Sequence, residues 1–461
     1  MFETTRRAVV LQVEKLKMQF SQREGLPFGE ILSSGFVLRI LEEQKAVFRD
    51  RIFSPIVTLA AFVAQVLSED HSCRWAVAQV IAERVEQGKK PCSPGTGAYC
   101  QARERLPKEL ILQILRETGA KLHGATPPNW QWRGRRIVLA DGSTVSMPDT
   151  PENQAEYPQP ASQKPGLGFP LARLVVLISL ATGGVLDVAV GPNKGKMTGE
   201  HALLRQIMEV LKTGDILIAD RYYCSYFLLA ILRKMGVDAV FQIHASRRID
   251  FRKGRRLGKR DHVVEWRKPV RPDWMDLDTY RAIPAKLPIR ETRVDGLVLV
   301  STFLDPKEVT REDLGDLYKL RWTVEVDLKF IKEIMKMDIL RGHSPEMVQK
   351  EIGVHLLTYN LIRTVMAQAA ERAGIVPNTI SFKGTLQQMD AFTDKIVRAT
   401  GDGRTRLLDE MLRAIAYHRI GNRPGRSEPR VVKRRPKPYP RLNEPRAVAR
   451  LSLKKYEVTA I

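Results

Sequence analysis

Long apolar runs are missing from this chain. No stretch approaches the ~18 residues of a membrane-spanning helix, which excludes a helical membrane protein. Cysteine is scarce: Cys73, Cys92, Cys100 and Cys224 are the only four in 461 residues. None sits in a CxxC pair, and no His/Cys spacing matches a zinc site. A disulfide-stapled secreted scaffold is thereby excluded, and the four are expected to be reduced thiols in a cytosolic protein. The first residues, MFETTRRAVVLQVEKLKMQF, read as charged and amphipathic rather than as a signal peptide. Acid is short as well: 52 Asp+Glu stand against 75 Lys+Arg, a net charge of +23. So large a basic excess, spread over the whole chain, points to a polyanionic partner, most simply nucleic acid; the alternatives are solubility or a membrane-surface preference. With 43% apolar residues the chain is not disordered, and its length allows two to four domains.

Residues 1–130 read as helical. Arg6–Phe20 is amphipathic, Ser54–Leu67 is apolar nearly all round with Pro55 suited to a first turn, and Arg74–Val85 and Lys108–Leu122 are further helices. Small basic helices on short turns suit either a DNA groove or an ordinary scaffold. From Trp130 the character changes. RIVLA ends on Asp141, and turn residues follow in DGSTVSMPDTPEN and YPQPASQKPGLGFP. Leu171–Leu180 has strand length, and Gly183-Gly184 predicts a hairpin into Val185–Val190. Helix Thr198–Leu211, strand DILIA ending on Asp220, helix Tyr222–Met235 and strand Asp238–Ile243 complete an α/β pattern. Ligands of open α/β sheets collect at strand ends, so aspartates there are candidate site residues, although a lone one is often only a cap or turn former.

The interval from Asp220 to Glu325 is longer than one strand and crossover need, so Ala245–Thr310 reads as an insertion. It opens with eight basic residues against one acidic over residues 246–260, Arg255 and Arg256 among them, with Trp266 and Trp274 close behind. Basic runs with nearby aromatics suit backbone tracking and base stacking; the alternative is a solvated loop. Asp316–Met335 then reads as one amphipathic helix. Leu317, Leu320, Val324, Leu328 and Ile331 form an apolar stripe, and Tyr318, Arg321, Glu325 and Lys332 a second stripe beside it. A carboxylate among a phenol, a guanidinium and an ammonium suggests a place for a metal and an anion together; the bland alternative is a charged face of i,i+4 pairs. Hard divalent cations such as Mg²⁺ want oxygen ligands, which Asp141, Asp220 and Glu325 would supply. Toward the C-terminus, Gly384–Thr400 and Arg406–Tyr417 read as helices. Residues 421–461 carry 12 Lys/Arg against 3 Asp/Glu and read as an extended Pro-rich tail.

The spacing Tyr318-x2-Arg321-x3-Glu325-x6-Lys332 resembles the Tyr-Arg-Glu-Lys signature of bacterial insertion-sequence transposases of family four. LADGSTVSMPDT and IADRYYCSYF resemble that family's regions around its two catalytic aspartates, and the likeness runs from about residue 30 to about residue 370. The resemblance implies an α/β fold: a ribonuclease-H-like core of mixed sheet and flanking helices (131–244 and 311–375), interrupted by a mainly β insertion (245–310). A helical DNA-end-binding region (1–130), C-terminal helices (376–420) and the tail (421–461) flank it. It implies cut-and-paste DNA transposition with Asp141, Asp220 and Glu325 as the catalytic, metal-binding triad for two Mg²⁺ ions, Mn²⁺ being able to substitute. Tyr318, Arg321 and Lys332 would contact DNA, with Arg255 and Arg256 on its backbone and Trp266 first, Trp274 second, to stack on a flipped base while a hairpin forms. Trp322, inside the signature, would instead pack beside its helix. The partners implied are terminal inverted repeats, target DNA and a second copy of the chain, in a bacterial cytoplasm at the nucleoid. The alternatives are a nuclease without strand transfer and a non-catalytic DNA-binding relic.

Overall fold

The structure, a computed structural model, describes residues 39–41, 43, 51–195, 198–420 and 442–457. The expected helix Arg6–Phe20 lies outside them. Four helices come first: α1 (Pro55–Leu67), α2 (Cys73–Glu86), α3 (Gly97–Arg105) and α4 (Lys108–Gly124). Pro55 sits in the first turn of α1, as the sequence predicts, and Ser54, read as the helix's first residue, instead caps it through its hydroxyl. α3 has no counterpart among the expectations.

The sheet begins with β1 (Ile137–Ser146), which runs through residues read as turn. The short helix α5 (Pro151–Glu156) and a Pro/Gly loop lead to β2 (Leu171–Ser179) and β3 (Val185–Pro192). Gly183, at φ 73°, makes the hairpin turn there, and a Cβ on it would strike the Arg363 guanidinium. α6 (Glu200–Ile207), β4 (Ile216–Ala219), α7 (Tyr226–Lys234) and β5 (Asp238–Gln242) follow in the expected order. β1, β4 and β5 are parallel neighbours; β4 crosses to β5 through α7, while β1 reaches β4 by way of β2, β3 and α6, and β1–β2 and β2–β3 are antiparallel.

Residues 245–310 supply β6 (Arg255–Gly258), β7 (Asp261–Arg267), α8 (Leu277–Ala282), β8 (Lys286–Val294) and β9 (Leu297–Ser301). The segment holds four strands and one short helix. It also joins the sheet directly: β9 pairs with β5, giving nine strands in the order β3-β2-β1-β4-β5-β9-β8-β7-β6.

Burial alternates along the central strands. Ile137, Leu139, Val176, Ile178, Ile216 and Ile218 face one core; Val138, Ala140, Val175, Leu177, Leu217 and Ala219 face another. Both faces are covered, which explains why β2 reads as a continuous apolar run. The first core is shared with α9 (Arg311–Lys319), α10 (Trp322–Lys329) and the 28-residue α11 (Pro345–Arg372), the second with α6 and α7. α12 (Phe382–Arg398) and α13 (Gly401–Tyr417) start a few residues before their predicted positions.

The tail corrects an expectation. Among its described residues α14 (Arg446–Glu457) is helical, because the prolines that favour extension stop at Pro445. Arg446 Nη1 lies 3.2 Å from Asp149 Oδ2, and its guanidinium covers Phe169 at 3.8 Å. Among the described residues no helix is long and apolar enough to cross a membrane.

Candidate active site

Asp141 does not end its strand. β1 pairs with β2 as far as Ser146↔Leu171, but with β4 only as far as Leu139↔Ile218. Asp141 is therefore mid-strand and lies just past the point where its parallel neighbour stops. A pleated strand alternates faces, so Asp141 shares its side with Leu139 and Val145, toward α9–α11. Asp220 follows β4 directly and caps a short 3₁₀ turn, its Oδ1 accepting from the Tyr222 N–H at 2.8 Å. Asp141 Oδ1 accepts from the Gly142 N–H at 2.8 Å. Burial pushes the Asp141 carboxyl up to about 6; the Gly142 N–H and Arg321 oppose that shift, and the charges of Asp220 and Glu200 add to it.

The signature stretch is a broken rod rather than one helix. After α9, which opens with a Thr310/Asp313 capping box, the hydrogen bonds tighten. Arg321 N bonds Tyr318 O at 3.0 Å and Val324 N bonds Arg321 O at 3.2 Å, both i→i−3. α10 then passes into a π turn over Phe330–Ile334. Leu317, Val324, Leu328 and Ile331 are buried as expected, but Leu320 is exposed, because it sits where the rod tightens. Arg321 Nη2 donates to Glu325 Oε1 at 2.6 Å. Lys332 Nζ donates at 3.0 Å to Ser143 Oγ, two residues past Asp141 on β1. Tyr318 is buried against the Gln242 backbone, and burial pushes its phenol up to about 12. Asp141 and Asp220 thus lie within electrostatic reach of each other, with Arg321 between Asp141 and Glu325. Among the described residues no three His, Cys, Asp or Glu side chains gather closely enough to hold a metal ion. Glu325 is held on Arg321 instead.

The two candidate stacking tryptophans are covered. Trp266 on β7 is 5% exposed; its Nε1 donates to Glu291 Oε1 at 2.7 Å, and the Arg247 guanidinium lies 3.5 Å from its ring centre. It is a core tryptophan here, and a base could reach its face only by displacing Arg247. Trp274 packs edge-on against Phe227 under Arg205, 3.8 Å away. Trp322, expected to pack beside its helix, is 63% exposed because its position faces away from the apolar stripe. Arg255 and Arg256 are exposed on β6, the outermost strand.

Sequence reasoning passed over Ser143, Asp327 and Glu200. Ser143 looked like a turn residue and Asp327 like part of a charged face. Glu200, in MTGEHALL, has the look of an ordinary acidic residue in a first helical turn.

Residues 132–361, which contain all six signature residues, match the family described as Transposase DDE domain. That match over this α/β scaffold makes the chain a DNA transposase of the DDE class. The transposase InsG of insertion sequence element IS4 from Escherichia coli (strain K12) is 29% identical over 349 residues, 74% of this chain and 77% of that protein. Along most of its length the chain is similar to this insertion-sequence transposase. The transposase of insertion sequence element IS421 from Escherichia coli is 35% identical over 71 residues, 15% of this chain and 19% of the relative. A solved piggyBac transposase synaptic complex with hairpin DNA aligns over 88% of this chain and 87% of its own at 11% identity. Its TM-score of 0.42 is too low to build on.

Proposed function

We propose that the chain excises and inserts its element by metal-dependent phosphodiester transfer on a ribonuclease-H-like core, with Asp141, Asp220 and Glu325 as the acidic triad. The strand order β3-β2-β1-β4-β5, with its antiparallel-then-parallel pattern, supports that core. The observation that carries the reading is the Arg321–Glu325 pair at 2.6 Å beside Asp141. Arg321 acts on the Asp141 carboxyl as well as on Glu325, which supports grouping the third acid with Asp141.

The donor set fits a hard divalent cation such as Mg²⁺, since all its atoms are carboxylate oxygens. When bound, such a cation activates the attacking oxygen and stabilises the leaving one. Arg321 holds Glu325 while no phosphate is near; a DNA phosphate recruits the guanidinium and frees the carboxylate to join Asp141 and Asp220. Lys332, held by Ser143, and the Tyr318 phenol, whose neighbours include Arg321 and Asp220, set the register of the strand being cut in this reading. The basic excess, with Arg255 and Arg256 exposed, supports binding of terminal-repeat and target DNA. Hairpin formation and pairing of two copies around two DNA ends belong to this reading through the family resemblance.

Glu325→Gln tests it on an end-containing duplex with Mg²⁺. Binding persists and nicking falls on the order of 10³-fold or more. Robust nicking by that variant removes Glu325 from the site.

A further inference from the structure

Glu200 lies outside the three acids that the signature singles out. It opens α6, on the other face of the sheet from Asp141, and its carboxyl rests against the Gly142 backbone just past the end of β4, near enough for its charge to raise the Asp141 carboxyl. A Cβ built on Gly142 would come within 2.4 Å of the Glu200 carboxyl carbon. Glycine at this β1 position is what admits the carboxylate, since Gly142 does not have the positive φ that would otherwise call for glycine.

A second observation comes from Tyr223, just past Asp220. Its side chain is fully buried, yet its hydroxyl has no partner at full hydrogen-bond geometry. It points at the Glu200 carboxylate and feels the charges of Glu200, Asp141 and Asp220 together. Buried hydroxyls are nearly always satisfied, and neighbouring carboxylates stay ionised together only where a cation offsets their repulsion. The charge of Arg173 reaches Glu200, but its guanidinium donates to Asn193 Oδ1 at 3.0 Å and to the Thr198 carbonyl at 3.4 Å.

We propose that Glu200 is a fourth carboxylate of the site, which orients a water of the divalent cation held by Asp141 and Asp220, while the Tyr223 hydroxyl fixes the direction of its carboxyl. The inference rests on reading Asp141 and Asp220 as cation ligands. Glu200 is a positioning residue, because it acts through that water rather than on the DNA.

The test measures Mn²⁺ affinity by electron paramagnetic resonance on the full chain bound to an end-containing duplex. Glu200→Gln weakens Mn²⁺ binding about 10-fold, as second ligand layers do. Gly142→Ala does the same, because the new Cβ pushes the flexible Glu200 carboxylate aside while the backbone stays in an allowed conformation. Binding of the duplex in EDTA and the metal-free melting temperature stay at wild-type values in both. Asp141→Asn, run beside them, abolishes Mn²⁺ binding. Wild-type Mn²⁺ affinity in Glu200→Gln and Gly142→Ala overturns the role of Glu200 while leaving the triad intact. Wild-type affinity in Asp141→Asn as well overturns the triad. Loss of duplex binding in EDTA by Glu200→Gln overturns the proposal in favour of a structural role; should that variant not fold, Gly142→Ala carries the test.

Discussion

Glu325 and Asp327 stand two residues apart on α10, and each holds an arginine, but the two pairs are of opposite kinds. Arg321 and Glu325 keep 19% and 35% of their side chains exposed. Arg363 and Asp327 keep 2% and 1%. Arg363 also donates its Nε to the Tyr359 hydroxyl at 2.7 Å and lies against the rings of Phe330, Tyr359 and Phe382. A buried pair is costly to break because the survivor keeps an uncompensated charge, whereas a partly wet pair exchanges partners for little. Successive residues on a helix turn by ~100°, so one short helix can present a fixed clamp to α11 and an exchangeable pair to the cleft. The clamp fixes where Glu325 stands and leaves free what Glu325 binds.

The comparison breaks first, and with the largest effect, at Asp327. Asp327→Ala strands Arg363 in the core and costs about 3–5 kcal/mol, read as a lower urea midpoint. The matching change on the wet side, Arg321→Ala, moves the midpoint by less than about 1 kcal/mol. Equal losses in the two variants would show that both pairs are structural.

Acid attacks the clamped side next. His355 on α11 and His71 stack at 5.9 Å, and burial holds both imidazoles neutral with pKa values of about 4 against an ordinary 6.5. Lys336 and Arg341 lower His71 further, Asp70 opposes them, and the Glu351 carbonyl supports the proton on His355. Between pH 6.5 and 4 the unfolded chain therefore binds protons that the folded chain refuses. Stability is full above pH 6.5 and is lost as pH falls toward 4, by about 3 kcal/mol for each imidazole. Urea melts at pH 7 and pH 5 measure it, and His355→Phe flattens the slope.

On the exchangeable side, if Arg321 passes from Glu325 to a DNA phosphate as proposed, Arg321→Ala slows Mg²⁺-dependent nicking about 100-fold. The dependence of DNA affinity on salt loses a slope of about 1. An unchanged slope would mean that Arg321 never leaves Glu325 for DNA.

The sequence made the exchangeable side legible and hid the clamp. Arg321 and Glu325 are four residues apart, so helical periodicity alone brings them together. Asp327 and Arg363 are 36 residues apart on different helices, and no local pattern announces their meeting. The same division runs through the fold. Pro55 in the first turn of α1, and the hairpin at Gly183, are local chemistry and were readable. The extension of β1 past Asp141 was not, because Gly142, Ser143 and Thr144 read as turn formers until β2 pairs with them. Nor was the joining of β9 to β5, a long-range pairing that follows an insertion of some sixty residues. Trp266 read as a stacking platform because a basic run precedes it; that one member of the run, Arg247, would cover its ring is a tertiary fact.

The gentlest test of the clamp is Tyr359→Phe. The ring stays, so its packing on Phe382 and its contact with the Arg363 guanidinium persist. Only the hydroxyl that accepts from Arg363 Nε is removed, leaving one buried donor unmet at a cost of about 1–2 kcal/mol. If the two pairs are independent, this variant melts earlier in urea but nicks DNA at the wild-type rate once folded. Slower nicking without loss of stability would mean that strain in the clamp reaches Glu325 across two residues of α10, and the clamp would then be part of the chemistry.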